Sequence, residues 1–162
     1  MVKFFLKTKA ELTNVTALEP VDYPETPFEY TFRIECTKCR EVHGKPITIN
    51  RYEQHEITGS KGEASFVFRC KSCKSEHSAQ ISRTKESLTS ETAGEWVRIL
   101  EIDARGADFI EFIPEGRWSC KALNSKSSFD DVDLEDGEWY DYDDDRGEEV
   151  SVTEFRWEIA RV

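Results

Sequence analysis

Two cysteine pairs of the same form are the residues of this sequence best suited to chemistry. Cys36 and Cys39 lie in the segment ECTKC, and Cys70 and Cys73 lie in RCKSC. A tight turn between cysteines two residues apart directs both sulfurs toward one point, and two such turns supply the four thiolates that Zn²⁺ takes in closed structural sites. The pattern therefore predicts one zinc ion per chain, bound by these four residues.

The distance between the pairs is compatible with this site. Thirty residues separate Cys39 from Cys70, which exceeds the roughly 15–20 of compact zinc ribbons. The closure cost of a flexible loop rises only slowly with its length, so a long hairpin can occupy the interval without disturbing the ligands.

Other chemistry is less well supported by the residues. A thioredoxin-like redox centre needs a helix after its cysteine pair, whereas each pair here follows an alternating strand pattern. His43 and His77 each lie four residues after a pair, but four thiolates leave no place for them. A Ca²⁺ loop starting at Asp141 fails because Arg146 holds its glycine position. No triad order, phosphate-binding glycine loop or acid/base pair is visible, so we expect no enzyme activity.

The charge of the chain is concentrated in one segment. The net charge is −11, and 12 of the 33 acidic residues lie between Asp130 and Glu149, against one basic residue there, Arg146. Because the binding of phosphate backbones depends on cationic side chains, this balance argues against nucleic acid. The sequence also has no apolar run of about 20 residues. We therefore expect a protein of the cytosol, and also of the nucleus, with no membrane or nucleic-acid partner.

The acidic segment also contains aromatic residues, which are unusual in a disordered tail. We expect an ordered acidic loop over 130–149, pinned by Trp139, that serves as a docking surface for a protein partner. The candidate contact residues all lie in this segment and are expected to be exposed: Asp131, Asp133, Trp139, Asp141, Tyr142 and Asp143.

The elements that must position the cysteines are β-strands. FEYTFRIEC alternates apolar and polar residues and ends at Cys36, and ASFVFRC repeats the pattern and ends at Cys70. Each cysteine pair is thus predicted at the tip of a hairpin. Further strands are expected over 2–10, 47–52, 77–83, 96–103, 150–152 and 155–159, and no segment has a helical apolar stripe.

The chain is expected to form one compact monomeric unit with two similar halves. Laid at an offset of 94, the segment Leu6 to Pro20 resembles Leu100 to Pro114, which indicates a duplication with pseudo-twofold symmetry. The halves are predicted at about 1–83 and 96–162, joined by a polar connector over 84–95. Only the first half has a metal-ligand set, and Cys120 is expected to be a buried apolar residue.

Three segments together resemble one known family. ECTKC, GSKGEASFVFRCKSC (59–73) and FDDVDLEDGEWYDYD (129–143), with the opening LKTKAELTNVTALEP, are similar to the eukaryotic CXXC motif-containing zinc-binding proteins, an uncharacterised family. The resemblance implies an all-β, antiparallel fold of two similar halves, with one zinc-ribbon-like four-cysteine site in the N-terminal half. It implies no established activity, and for a human relative it suggests contact with the metal-binding domain of a copper chaperone.

Two functions follow from these features. The first is a protein-interaction or adaptor module that zinc stabilises and whose acidic segment binds a partner. The second is a metal-handling protein that contacts a copper chaperone or exchanges metal through its thiolates.

Overall fold

The computed structural model describes residues 2–57 and 62–162, and this part of the chain is built from β-strands without a helix. The described part of the chain contains no helix that is long and apolar enough to cross a membrane. The strands, in chain order, are β1 (Val2–Thr13), β2 (Val15–Pro20), β3 (Tyr30–Cys36), β4 (Ile47–Ile49), β5 (His55–Glu56), β6 (Glu63–Ala64), β7 (Phe66–Arg69), β8 (Glu76–Arg83), β9 (Val97–Arg105), β10 (Ala107–Ile113), β11 (Arg117–Ala122), β12 (Ser128–Asp133), β13 (Trp139–Asp143) and β14 (Glu148–Arg161). The start of the sequence motif at 59–73, residues 59–61, lies outside the described residues.

The largest sheet shows the pseudo-twofold relation directly. Its strand order is β13-β14-β1-β9-β8-β7. A twofold rotation that exchanges β1 with β9 also exchanges β14 with β8 and β13 with β7, so the order is the same from either edge. The two central strands, β1 and β9, are antiparallel, and Leu6 lies opposite Leu100. These are the two residues that the offset of 94 aligns, so the symmetry axis passes close to them, and the predicted relation between the halves is confirmed.

The two smaller three-stranded sheets show that the halves are interlaced. One has the order β10-β3-β4 and the other β12-β11-β2. Each therefore contains two strands of one half and one strand contributed by the other half. The half that contains both cysteine pairs consequently depends on β10, which belongs to the second half.

The core lies between these sheets and joins both halves. Phe32 is fully buried, and its ring centre lies 5.0 Å from that of Phe109 and 5.5 Å from that of Phe112. Trp118 is also fully buried, and its ring centre lies 5.7 Å from that of Phe28 and 5.2 Å from that of Phe155. Aromatic side chains of this size contribute much of the apolar area that leaves water on folding.

The alternating pattern that predicted β3 corresponds to one buried face and one mostly half-buried face. In β3 the side chains of Tyr30, Phe32 and Ile34 are buried. The two short C-terminal strands expected at 150–152 and 155–159 form one continuous strand, β14. The segment 84–95 has no strand of its own, but Leu88 is fully buried and pairs with Leu18. Cys120 is buried as expected.

The expectation of an acidic loop is wrong for most of 130–149. This segment contains the end of β12, the whole of β13 and the start of β14, joined by short turns. β13 shows no alternation of buried and exposed residues: Trp139 is half-buried, the next three residues are exposed and Asp143 is buried. Aspartate is depleted from strands in general, so the sequence pattern favours a loop.

Candidate metal centre

Both cysteine pairs lie at hairpin tips and have the same backbone geometry. Cys36 is the last residue of β3, and Cys70 directly follows β7. The Cys36 N–H donates to Glu41 O and the Arg40 N–H donates to Cys36 O; around Cys70 the same two bonds come from Cys70 N–H to Ser75 O and Lys74 N–H to Cys70 O. Arg40 and Lys74 have φ values of 63° and 64°, the left-handed conformation that closes each turn.

The four sulfurs form a compact group that fits a tetrahedral metal. The Sγ atoms of all four cysteines lie within 4.8 Å of one another. Cys36 Sγ is 3.6 Å from Cys73 Sγ, and Cys39 Sγ is 3.7 Å from Cys70 Sγ. A tetrahedron of sulfurs at about 2.3 Å from zinc has edges of about 3.8 Å, whereas a disulfide needs about 2.0 Å. The donor set and spacing therefore fit Zn²⁺, and the four predicted ligands do come together.

The environment of the sulfurs differs between the two members of each pair. Cys36 and Cys70 are buried, Cys73 is half-buried and Cys39 is exposed. The pKa of Cys73 is lowered to about 6, chiefly by the Ser75 hydroxyl. The pKa of Cys39 is raised to about 12: the backbone N–H of Glu41 lowers it, but desolvation of the sulfur and hydrogen bonds with the other three sulfurs raise it more. Four thiolates this close require a cation between them, which zinc supplies when it is bound.

A strand from the second half supports the first cysteine turn. Ala107 of β10 lies opposite Cys36, and the Thr37 N–H donates to Gly106 O at 3.0 Å. Gly106 has a φ of +85°, and a Cβ there would lie 2.7 Å from His77 Nδ1 and 3.0 Å from Glu76 O. A glycine is therefore required at this approach on grounds of both conformation and space.

The histidines near the cysteines are not among the grouped ligands. In the described part of the chain, the cluster of possible metal ligands contains only the four cysteines. His43 and His77 instead pack against Phe68, with ring centres 4.5 and 6.1 Å from it. Their structural role follows from this packing.

The second half has a corresponding tip without cysteine. Its Ala122 N–H donates to Ser127 O and its Leu123 N–H donates to Asn14 O, as Cys36 and Thr37 donate to Glu41 and Gly106. The turn between β13 and β14 repeats the second cysteine turn, because the Gly147 N–H donates to Asp143 O and Gly147 has a φ of 72°. By this correspondence Ala122, Ser125, Asp143 and Arg146 take the four cysteine positions.

Hydrogen bonds connect the two turns of this tip where sulfur and metal would connect those of the first. Ser125 Oγ donates to Asp143 Oδ2 at 2.7 Å, and Asp143 Oδ1 accepts from the N–H of Asp145 and of Arg146. Ser127 Oγ donates to Asp145 Oδ2 at 2.8 Å. This tip was not predicted from the sequence. One signal was present: Gly147 lies four residues after Asp143, as Lys74 lies four residues after Cys70, and both Gly147 and Lys74 have the left-handed conformation.

The structure separates the six residues expected to contact a partner. Asp131, Asp133, Asp141 and Tyr142 are exposed, and Trp139 is half-buried with its ring centre 5.4 Å from that of Phe129. Asp143 is 1% exposed and bonded to Ser125. Asp143 is therefore a structural residue and its assignment to the docking surface is corrected, since a buried carboxylate cannot meet a partner.

We expect the second tip to weaken in acid. Burial would raise the pKa of Asp143, but hydrogen bonds from Ser125, from the N–H of Arg146 and from neighbouring groups lower it below its ordinary value. A depressed folded-state pKa gives stability that is complete above the unfolded value of about 3.9 and is lost as pH falls through the folded value. The melting temperature should thus fall less steeply between pH 7 and pH 3 for Asp143→Asn than for the natural chain.

The control for this measurement is Asp144→Asn, a substitution at the adjacent exposed carboxylate of the same turn. Its melting temperature should follow that of the natural chain over the whole range of pH. A profile for Asp143→Asn that is parallel to both would show that Asp143 does not stabilise the tip through its charge.

Comparison with known proteins identifies close relatives of the whole chain. The family model described as "CXXC motif containing zinc binding protein, eukaryotic" matches residues 5–160. A UPF0587 protein of Schizosaccharomyces pombe is 40% identical over 161 residues, covering 99% of each chain. The human protein named "CXXC motif containing zinc binding protein" is 31% identical over 162 residues, again covering 99% of each chain.

Two solved structures share the fold. The chain titled "Crystal Structure of C1orf123" has a TM-score of 0.89 and 28% identity, covering 99% of both chains. A hypothetical protein from Plasmodium falciparum has a TM-score of 0.86, with 98% of this chain and 99% of that chain covered. At 24% identity the latter is evidence for the fold alone.

Proposed function

Since this chain belongs to the eukaryotic family of CXXC motif containing zinc binding proteins, we propose that it is a non-catalytic adaptor, held in shape by one structural zinc ion, that binds a protein partner through its acidic edge. We define the acidic edge as Tyr140, Asp141, Tyr142 and Asp144. The observation that carries the proposal is the position of β13, the strand that holds three of them, at one edge of the six-stranded sheet.

The zinc site supports a structural role. Four protein sulfurs leave no coordination position for water or substrate, so the chemistry that a closed zinc site supplies is mechanical: it fixes two hairpin tips relative to each other. Cys36 and Cys70 are buried under these tips. The residues around the cluster hold it in place and do not direct a reacting group toward it.

The acidic edge supports a docking role. Successive side chains of a strand point to opposite faces, so Asp141 and Tyr142 are both accessible to one partner only along an edge. Tyr140 is 64% exposed and Tyr142 is 47% exposed. Tyrosines among carboxylates offer apolar area together with negative charge, which favours a partner with a basic surface.

This proposal predicts that neutralising the acidic edge removes a partner without affecting the fold. The double substitution Asp141→Asn with Asp144→Asn should reduce recovery of the specific partner at least about tenfold, because complementary charges steer and hold such contacts. The measurement is affinity purification with quantitative mass spectrometry. Glu86→Gln with Glu91→Gln, at two exposed positions of the connector, is the matched control.

The adaptor proposal also makes the interaction depend on ionic strength, because charge pairs at a protein surface are screened by salt. Identical partners in the Asp141→Asn, Asp144→Asn sample and in the control sample would contradict docking at the acidic edge. A partner lost equally from both samples would point to net charge as the cause.

A metal-handling protein is the second candidate, and the exposure of one side of the cluster favours it. Cys39 is exposed and Cys73 is half-buried, so a thiolate of a metal donor or acceptor, such as a copper chaperone, can approach both. Cys39→Ser distinguishes the candidates. A folded Cys39→Ser protein that keeps its partners supports the adaptor, whereas one that keeps its fold and loses metal transfer supports metal handling.

A further inference from the structure

A pocket of about 390 Å³ lies beside the cysteine cluster, on the side of the two buried cysteines. Its floor includes Cys36 and Cys70, and its apolar walls come from Ile34, Val42 and Phe68. This volume is in the range of pockets that enclose small organic molecules, which are mostly apolar with a few polar groups at fixed places. Apart from Cys36 and Cys70, its lining residues belong neither to the cysteine cluster nor to the acidic edge.

Aromatic rings form one wall of the pocket. The ring of Phe68 has its centre 4.5 Å from that of His43 and 6.1 Å from that of His77. Burial is the main cause that lowers the pKa of each histidine, which favours the neutral form of both rings. The three rings line one pocket and form a surface suited to an aromatic or branched apolar group. Val42 remains 44% exposed beside it, which leaves apolar area that a ligand would cover.

Two lysines are among the residues that line the pocket. Lys45 and Lys71 line it, and both act on His43 in the direction that lowers its pKa, which places their charges close to that ring. Neither lysine belongs to an ion pair of the described residues. Glu41 also lines the pocket and offsets one of the two charges. One unneutralised cation next to an apolar interior selects for an anion with an apolar body.

The thiolate cluster behind the floor does not cancel this preference. A zinc ion with four thiolates carries a net charge of −2, but other cations lie near it, because Lys38 and Lys74 belong to the two cysteine turns themselves. The N–H groups of Glu41 and Ser75 also donate to sulfur. Lys45 and Lys71 line the pocket and belong to no ion pair of the described residues, so a ligand anion can pair with them.

We propose that this pocket binds a small organic carboxylate with an aromatic or branched apolar body. The body lies against Phe68, His43 and Val42, and the carboxylate meets Lys45 and Lys71. This site goes beyond the adaptor function and does not depend on it, since the acidic edge belongs to the other half of the chain.

The test uses the zinc-loaded full chain and two matched probes. Backbone amide shifts are followed by NMR while 4-phenylbutyrate, or its uncharged amide, is added. Shifts should concentrate at Val42, His43, Gly44 and Ser72, and the Kd of the acid should be at least about tenfold lower than that of the amide, the difference that one charge-assisted contact supplies.

Three variants decide which residues are responsible. Lys45→Ala with Lys71→Ala should remove the preference for the acid, whereas Lys85→Ala with Lys126→Ala, at two exposed lysines elsewhere, should keep it. Gly44→Leu should block both probes, because Gly44 lines the pocket and a Cβ there meets nothing within 4 Å. Unchanged zinc content in every variant shows that the fold and the cluster survive.

The proposal is overturned if the acid and its amide bind with equal Kd, or if neither moves the pocket amides. It is equally overturned if the acid preference survives Lys45→Ala with Lys71→Ala. A peptide arm, N-acetyl-Gly-Phe with a free carboxylate, separates the sources of this chemistry. Binding of the peptide without binding of 4-phenylbutyrate would replace a small-molecule site by a peptide site and contradict the assignment made here.

Discussion

Cys36→Ser is expected to abolish stoichiometric zinc binding and to unfold at least the zinc-bearing tip. Structural zinc contributes about 10–16 kcal/mol of apparent binding free energy in small peptides, and a whole domain is stable by only about 5–15 kcal/mol. Because Cys36 is buried and 3.6 Å from Cys73 Sγ, its loss leaves three thiolates without a complete tetrahedral set. Metal analysis and thermal melting, each with and without a chelator, measure the effect.

The control for this substitution is Cys120→Ala. Cys120 is buried outside the cluster, and burial raises its pKa to about 12, so it stays a neutral thiol. The Cys120→Ala protein should keep its zinc and should lose stability on chelation as the natural chain does. A natural chain whose melting temperature is unchanged after complete removal of zinc would refute a structural role for the metal.

Phe109→Ala is expected to destabilise the zinc-bearing half by about 3–5 kcal/mol, the usual cost of truncating a buried aromatic side chain. Phe109 belongs to β10 of the second half, is 3% exposed, and its ring centre lies 5.0 Å from that of Phe32 and 6.3 Å from that of Phe4. The truncation therefore leaves a cavity in a core that both halves share. Denaturant unfolding measures the loss, and amide hydrogen exchange in β3 and β4 shows where it falls.

The adjacent Ile110 provides the matched control on the same strand. Ile110 is 40% exposed, so Ile110→Ala should change the free energy of unfolding by no more than about 0.5 kcal/mol. If Phe109→Ala lowered protection only in the second half, or split unfolding into two transitions, the halves would be independent. A single transition with reduced protection in β3 would agree with the interlaced sheets.

The cluster of four cysteines could be predicted from sequence because the signal is local. Two turns with cysteines two residues apart, each after an alternating strand, allow few other arrangements of sulfur. The buried face of β3 followed from the same alternation. Leu6 and Leu100 could also be paired from sequence, since a duplication repeats the apolar positions that its fold requires.

Other features needed the tertiary structure because they depend on contacts between residues far apart in the chain. The exchange of β2 and β10 between halves leaves no mark in local pattern, since a strand looks the same whichever half it joins. The burial of Asp143 follows from its bond to Ser125, 18 residues away, and in sequence it is one carboxylate among many. The apolar pocket arises only where His43 and His77 meet Phe68.

The sequence by itself determined the metal-ligand set, the all-β class and the pseudo-twofold relation. Local geometry and periodic burial encode all three of these. Only the tertiary structure decided that the acidic segment is mostly strand, that hydrogen bonds at the second tip take the place of sulfur ligands, and which acidic side chains reach solvent. Burial and hydrogen bonding of a polar group depend on what packs against it, and the chain sequence does not state those neighbours.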